Sequence, residues 1–199
     1  MSAPIRLILA SASAIRAKIL RDVGVAFAAA TPDVDEAALK EGLLKRGAGL
    51  EEIAMALAEA KALSVAAPGR FVLGSDQILE HRGRPFDKPR DRAEAKERLL
   101  DLQGDAHTLI NAVAIAKDGE IVFRRVDRPR LFMRAMTESE VDRYLDRTGA
   151  GVLASVGAYQ VEALGAQLFE RIEGDHFAVL GLSILPVLGF LRTQGIEAF

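Results

Sequence analysis

Leu7-Ile8-Leu9-Ala10-Ser11-Ala12-Ser13-Ala14-Ile15-Arg16-Ala17-Lys18 begins as an apolar run, breaks into small hydroxyl residues and resumes with cations. Ile19, Leu20 and Val23 then continue at helical spacing. Strand, tight turn and helix are the elements this order predicts. The turn brings two hydroxyls and backbone N–H groups to a helix N-terminus, with Arg16 about one turn in, which is a physical recipe for an anion site. Ser13 is also a preferred helix N-cap, and a cap alone would account for it.

The chain has 199 residues, half of them apolar, enough for one domain with a sizeable core or two closely packed lobes. A formal net charge of −2 supplies no electrostatic footprint for nucleic acid. The absence of cysteine excludes a disulfide scaffold and a thiolate metal site. Met1-Ser2-Ala3-Pro4-Ile5-Arg6 leads into a short apolar run without a signal-peptide cleavage pattern. The most apolar stretch, 177–191, is interrupted by Gly181, Pro186 and Gly189, so nothing reaches the roughly eighteen residues that span a bilayer. The expectation is a soluble cytoplasmic protein with no nucleic-acid or membrane partner. A homodimer is the commonest oligomer, and 177–191 could form its face or equally be core.

Outward from the opening stretch, strands are expected at 6–10, 26–31, 71–78, 107–116, 120–133 and 166–172. Helices are expected at 14–23, 50–66, 92–102, 138–147 and 184–193. Lys117-Asp118-Gly119-Glu120 separates two apolar runs and reads as a hairpin turn. Early strand–helix alternation followed by a hairpin argues for an α/β fold with a mixed sheet.

Three further segments bear on function. Phe71-Val72-Leu73-Gly74-Ser75-Asp76-Gln77 is a strand ending in a carboxylate, Phe86-Asp87-Lys88-Pro89-Arg90-Asp91 is a basic turn before a helix, and Gly157-Ala158-Tyr159-Gln160-Val161-Glu162-Ala163-Leu164-Gly165 is a glycine-bounded polar segment. With the opening stretch, and in this order over nearly the whole chain, they resemble the Maf family of nucleotide pyrophosphatases. The resemblance implies a single domain over 1–199 with an elongated mixed β-sheet flanked by helices, similar to inosine triphosphatases, and two lobes with a central cleft. It also implies cleavage of a nucleoside triphosphate between the α and β phosphorus.

Such a reaction needs cations for the phosphates, carboxylates for a divalent metal and a base for water. Asp76 stands where an open α/β sheet presents its ligand crevice, at the carboxyl end of a strand. An ordinary Asp-initiated turn is the alternative, and the resemblance makes Asp76 the general base. Glu36 falls in Thr31-Pro32-Asp33-Val34-Asp35-Glu36, by composition a solvated acidic loop. The resemblance makes Glu36 a metal or water ligand and, with Asp76, the holder of Mg²⁺ or Mn²⁺, with Asp35 a weaker candidate. Ile53, Leu57, Lys61 and Val65 are spaced by four, so Lys61 lies on an apolar helical stripe, either snorkelling or, as in the family, at the phosphates. Lys88 matches the family's Lys-Pro motif, and Arg16 suits bidentate phosphate contacts. Ser11 and Ser13 would orient the phosphates. His81 reads as solvated in a polar turn, His107 as a structural hydrogen-bond partner and His176 as loop, with no zinc-ligand spacing among them.

Gln77 and Glu162, with Ile15, are the residues the resemblance assigns to the base pocket. Family members acting on dTTP and UTP tend to carry Asp-Thr in the second motif and Gln in the last segment. The Asp76-Gln77 pair with Glu162 resembles instead the branch that hydrolyses 7-methyl-GTP. A carboxylate can accept from both N1–H and the exocyclic amine of guanine, whereas uracil and thymine would set a carbonyl against it. Four positions depart from the pattern: Ala14 replaces a usual proline, Ile15 an aromatic residue, Asn111 a common threonine and Ser183 a usual proline. The expected activity is pyrophosphatase action on a modified or non-canonical nucleotide, leaning to 7-methyl-GTP. The rivals are dTTP/UTP hydrolysis and a nucleotide-binding regulator of septum formation with incidental catalysis. A P-loop enzyme is excluded, since no Gly-x-x-x-x-Gly-Lys-Ser/Thr occurs.

Overall fold

A computed structural model of the chain describes residues 6–196. The segment 1–5, read above for a leader, lies outside the described residues. Eight strands form one open mixed sheet: β1 (Leu7–Ala10), β2 (Phe27–Ala30), β3 (Phe71–His81), β4 (Arg84–Phe86), β5 (Ala106–Lys117), β6 (Glu120–Asp127), β7 (Arg130–Met133) and β8 (Phe169–Glu173). Their order is β2-β1-β3-β5-β7-β8, with β4 paired to β3 and β6 paired to β5. Strands β2, β1 and β3 are parallel, Leu7 standing opposite Phe27 and Phe71, and Ala10 opposite Ala30 and Gly74. Every residue of β1 is buried, which is why Leu7–Ala10 reads as an unbroken apolar run rather than an alternation. Helices α1 (Ala14–Asp22), α2 (Glu36–Lys45), α3 (Leu50–Leu63), α4 (Arg92–Leu102), α5 (Glu138–Thr148), α6 (His176–Val179) and α7 (Ile184–Thr193) complete the α/β architecture.

The expected hairpin is present: Lys117 pairs with Glu120 across Asp118 and Gly119, whose φ of 52° and 86° are the positive values that a tight hairpin turn demands. A second such turn, Arg82-Gly83 (φ 51° and 77°), joins β3 to the unforeseen β4. It corrects the reading of His81. That residue is the last of β3 and buried, with Nε2 3.1 Å from Asp105 Oδ2, because the strand runs on to the turn. The expected strand 120–133 is two strands, broken where Pro129 lacks an N–H and its carbonyl instead accepts from Leu109 N. The expected strand 166–172 starts later. A 3-10 turn, Leu164–Leu168, precedes it, and Gly165 lies so close to the Gln160 backbone that a β-carbon would stand 2.5 Å from Gln160 O. Nor is 33–36 only a loop: Asp35 Oδ1 accepts from Ala38 N at 2.9 Å and starts α2, with Glu36 its first residue. His176 opens the short α6 rather than lying in loop.

The chain divides into two compact units. The first joins the chain up to Gln77, Asn111–Asp127 and the chain from Asp175 onward. Its core gathers Leu7, Leu9, Leu20, Phe71 and Leu73 with Leu182, Ile184, Val187 and Leu191, so the apolar stretch 177–191 supplies core, although Leu185 is exposed. Among the described residues no helix is long and apolar enough to cross a membrane.

The second unit comprises Ile78–Ile110 and Arg128–Gly174. A reciprocal capping box between Thr137 and Glu140 starts α5. His107 is buried, with Nε2 2.6 Å from the Tyr159 hydroxyl and Nδ1 without a hydrogen-bond partner among the described residues. Burial, with a smaller push from His81, lowers the imidazole from 6.5 to about 3, so it is neutral in the fold. An unfolded chain takes up this proton near pH 6.5 and the folded one does not. The contribution is therefore whole at neutral pH and lost as pH falls from 6.5 toward 3, by up to about 1.4 kcal/mol per pH unit. Urea midpoints measured from pH 7 to pH 5 should fall more steeply for the parent chain than for His107→Gln. Equal slopes would show that His107 is not the linked group.

Candidate active site

Strand β3 sorts its residues by face. Successive side chains alternate, so Gly74 and Asp76 share one face and Ser75 and Gln77 the other. On the first face α3 comes unusually near. Ala54, Ala58 and Ala62 are all buried, and a β-carbon built on Gly74 would stand 2.7 Å from Ala62 N and closer still to the Ala58 carbonyl oxygen. Only glycine against small residues allows backbones this close. One consequence is that Lys61 is carried to Asp76. Its ammonium is 2.7 Å from Asp76 Oδ1 and 2.8 Å from Glu36 Oε2. Lys61 is 6% exposed and Asp76 8% exposed, whereas the Glu36 side chain is 50% exposed. The lysine is thus buried and paired rather than snorkelling, on an inward face with Ile53 and Leu57, whereas Val65 falls past the end of α3 at Leu63.

On the other face Ser75 Oγ donates to the Gly181 carbonyl at 2.9 Å, and Gln77 Nε2 donates to the carbonyl of Ala178 at 2.8 Å. Arg16 joins this region. Its Nε donates to Gly181 O and its Nη1 to Ser75 O, both at 2.8 Å, and Nη1 also reaches Ser11 Oγ at 3.3 Å. Ser11 Oγ accepts from Ser13 N, and Ser13 Oγ from Arg16 N. Ser13 thus caps the helix while both hydroxyls of the turn stay beside Arg16. The Arg16 contacts leave its two Nη2 donors outside this set. Burial lowers the Arg16 proton affinity, and the charges of Asp76 and Glu36 partly offset this. Ile15 is partly buried and packs against the core cluster of the first unit.

Two departures noted in the sequence turn out to be partners. With the Asn111 amide oriented to satisfy its neighbours, its oxygen accepts from Ser183 Oγ at 2.8 Å and its nitrogen donates to Gly181 O at 3.0 Å. Asn111 and Ser183 are fully buried. The carbonyl that anchors Arg16 is itself held by this pair, a role with no local signal at position 111 or 183.

Ser11, Ser13, Ile15, Arg16, Glu36, Lys61, Asp76 and Gln77 belong to the first unit, and Lys88 and Glu162 to the second. Lys88 is exposed, next to the buried Pro89. Glu162 is exposed, in a segment where Ala158 takes a left-handed φ of 57° and Tyr159 is buried. Burial and then the Glu162 charge push the nearby Tyr144 phenol up to about 12, despite its contact with the Gln160 backbone.

Asp76 and Glu36 converge on one cation without histidine or cysteine, which is the donor chemistry of a hard oxygen-loving ion. No group of three or more His, Cys, Asp or Glu side chains able to hold a metal occurs among the described residues. One oxygen of each of the two carboxylates faces the Lys61 ammonium, and two carboxylates are donors of the kind Mg²⁺ accepts alongside water and phosphate oxygens.

The family described as Maf-like protein matches residues 6–194 of the chain. A protein of Jannaschia sp. named nucleoside triphosphate pyrophosphatase 1 is 48% identical over 195 residues, covering 97% of this chain and 98% of the relative. Nucleoside triphosphate pyrophosphatase of Bradyrhizobium diazoefficiens is 47% identical over 194 residues, 96% and 95% of the two chains. A protein of Rhizobium meliloti named 7-methyl-GTP pyrophosphatase is 45% identical over 191 residues, 95% and 96% of the two chains.

Proposed function

This chain belongs to the Maf-like protein family, and from that membership and the site geometry we propose that it is a nucleoside triphosphate pyrophosphatase with a preference for 7-methyl-GTP. The observation that carries the reading is the buried Asp76, which lies within β3 rather than at its end, two residues past the Gly74 that pairs with the last residue of β1, and is held by Lys61 through one oxygen. Its second oxygen accepts a proton from water as that water attacks the α-phosphorus. The bond from the α-phosphorus to the bridging oxygen breaks, and the products are the nucleoside monophosphate and pyrophosphate. Lys61 fixes the orientation of the carboxylate, and Arg16, fastened at Nε and Nη1, turns its remaining donors to phosphate oxygens. Ser11 and Ser13 keep the turn in place, and Lys88 adds a cation for the phosphates. Asp76 and Glu36 would hold Mg²⁺ or Mn²⁺, which when bound supplies charge neutralisation at the phosphates.

Glu162 supports the guanine preference by its chemistry, since its two oxygens match the N1–H and exocyclic amine of guanine. Ile15 and Gln77 are the other residues assigned to the base. A 45% identical relative bearing the 7-methyl-GTP name agrees with this choice. The test is pyrophosphate release with Mg²⁺ or Mn²⁺ across 7-methyl-GTP, GTP, dTTP, UTP, CTP and ATP. Glu162→Gln should lower the preference for guanine nucleotides over UTP by about 10- to 100-fold, as expected for one charge-assisted contact. Preference of the parent chain for dTTP and UTP would refute the pocket reading and keep the reaction. Nucleotide binding without release would make the chain a binder of nucleotides instead.

A further inference from the structure

The turn bearing Lys88 and the stretch that leads into the segment bearing Glu162 are separate in sequence, yet one buried side chain bonds to both. Arg98 lies on α4 and is 6% exposed. Its Nη1 donates to the Asp87 carbonyl at 2.7 Å and to the Val156 carbonyl at 2.5 Å. The two N–H bonds of one nitrogen thus tie two irregular stretches of chain together.

We propose that Arg98 is a positioning residue that couples the Lys88 turn to the Glu162 segment, so that the cation for the phosphates and the carboxylate for the base are set by a single guanidinium. The proposal rests on the reading of Lys88 and Glu162 as substrate-binding groups.

The surroundings of the turn argue that it is held for the sake of Lys88. Phe86, two residues before Lys88, lies under the Arg98 guanidinium with its ring centre 4.5 Å from Cζ. Two residues after it, Arg90 donates through its backbone N and its Nε to Glu94, at 3.1 and 2.9 Å. Glu94 is in turn 3.6 Å from Arg98 Nη2. The turn is therefore fastened before, beside and after Lys88, whose own side chain is exposed. The Glu162 segment is fastened likewise. Beyond Val156, the Tyr144 hydroxyl donates to Ala158 O at 3.4 Å, and the Tyr159 hydroxyl meets His107. Gly157 admits no side chain, since a β-carbon would stand 2.6 Å from Tyr159 Cζ and closer still to Cε1.

A buried guanidinium is costly to desolvate, and well-packed apolar residues often match or exceed the stability of buried charge. What an apolar residue cannot do is donate to two backbone carbonyls at once. Lysine cannot reproduce the planar fork either. The arrangement thus favours a fixed relation between two loops over stability alone.

Arg98→Met and Arg98→Lys test the idea, with thermal unfolding run on both to establish that they fold. Arg98→Met should raise KM for the triphosphate about tenfold and lower guanine-over-UTP selectivity about tenfold, with kcat changed less than about threefold, since Asp76 and Lys61 are anchored elsewhere. Arg98→Lys should recover part of one effect without restoring both. A uniform fall in kcat at unchanged KM and selectivity, or no change, overturns the proposal. Should the parent chain release pyrophosphate from no nucleotide, the functional reading fails, and backbone hydrogen exchange then decides the coupling. Faster exchange in both 87–90 and 156–162 of Arg98→Met supports it, and a change in only one or neither overturns it.

Discussion

Asp76→Asn should lower kcat about a thousandfold while nucleotide Kd, measured without divalent metal, changes no more than about threefold. General-base assistance contributes about 10²- to 10⁴-fold, and an amide oxygen cannot take the proton of the attacking water. The side chain keeps its shape and one acceptor toward Lys61 Nζ, now 2.7 Å from Asp76 Oδ1, and Glu36 still pairs with the same ammonium. The fold therefore survives at some cost in stability, which a cooperative thermal transition at a lower midpoint would show. Turnover is read by pyrophosphate release and affinity by calorimetry on the variant. A kcat equal to that of the parent chain would remove Asp76 from the proton-accepting role. A loss of affinity as large as the loss of turnover would make it a binding group instead.

The second large effect concerns a residue with no side chain. Gly74→Ala should destabilise the first unit by about 3 kcal/mol or more and abolish most activity. Overpacking a core costs about 1–3 kcal/mol when side chains can shift. Here the obstacle is backbone, the Ala58 carbonyl and Ala62 N, so β3 and α3 must part. Lys61 and Asp76 sit on those two elements, and a displacement of about an ångström costs on the order of 10²-fold in rate. Gly42→Ala in α2 is the control. Nothing lies within 4 Å of its added carbon, and alanine is the better helix former by about 1 kcal/mol. Urea midpoints of the two variants should move in opposite directions. A Gly74→Ala chain with the parent midpoint would mean that the approach of α3 is not what holds the site.

Elements whose signals are local can be read from the order of residues alone. The strand–turn–helix of Leu7–Ala10 and Ala14–Asp22 follows from an apolar run, a serine cap and helical spacing within about twenty residues. The Asp118-Gly119 hairpin follows from turn chemistry, and the inward position of Lys61 from a stripe of four-residue spacing. The start of α2 at Asp35 escapes such a reading, because three carboxylates close together describe a solvated loop. What those residues meet depends on packing across the chain. It set Lys61 between Asp76 and Glu36, made Asn111 and Ser183 partners that hold the carbonyl gripping Arg16, and buried His81 at the end of a strand. It also put one nitrogen of Arg98 on the carbonyls of Asp87 and Val156. The physical reason is range: caps, turns and periodicity are free energies of neighbouring residues. Contacts between residues 16 and 181 or 98 and 156 arise only when packed elements bring distant donors and acceptors together, and a buried donor must then find whichever acceptor the packing supplies.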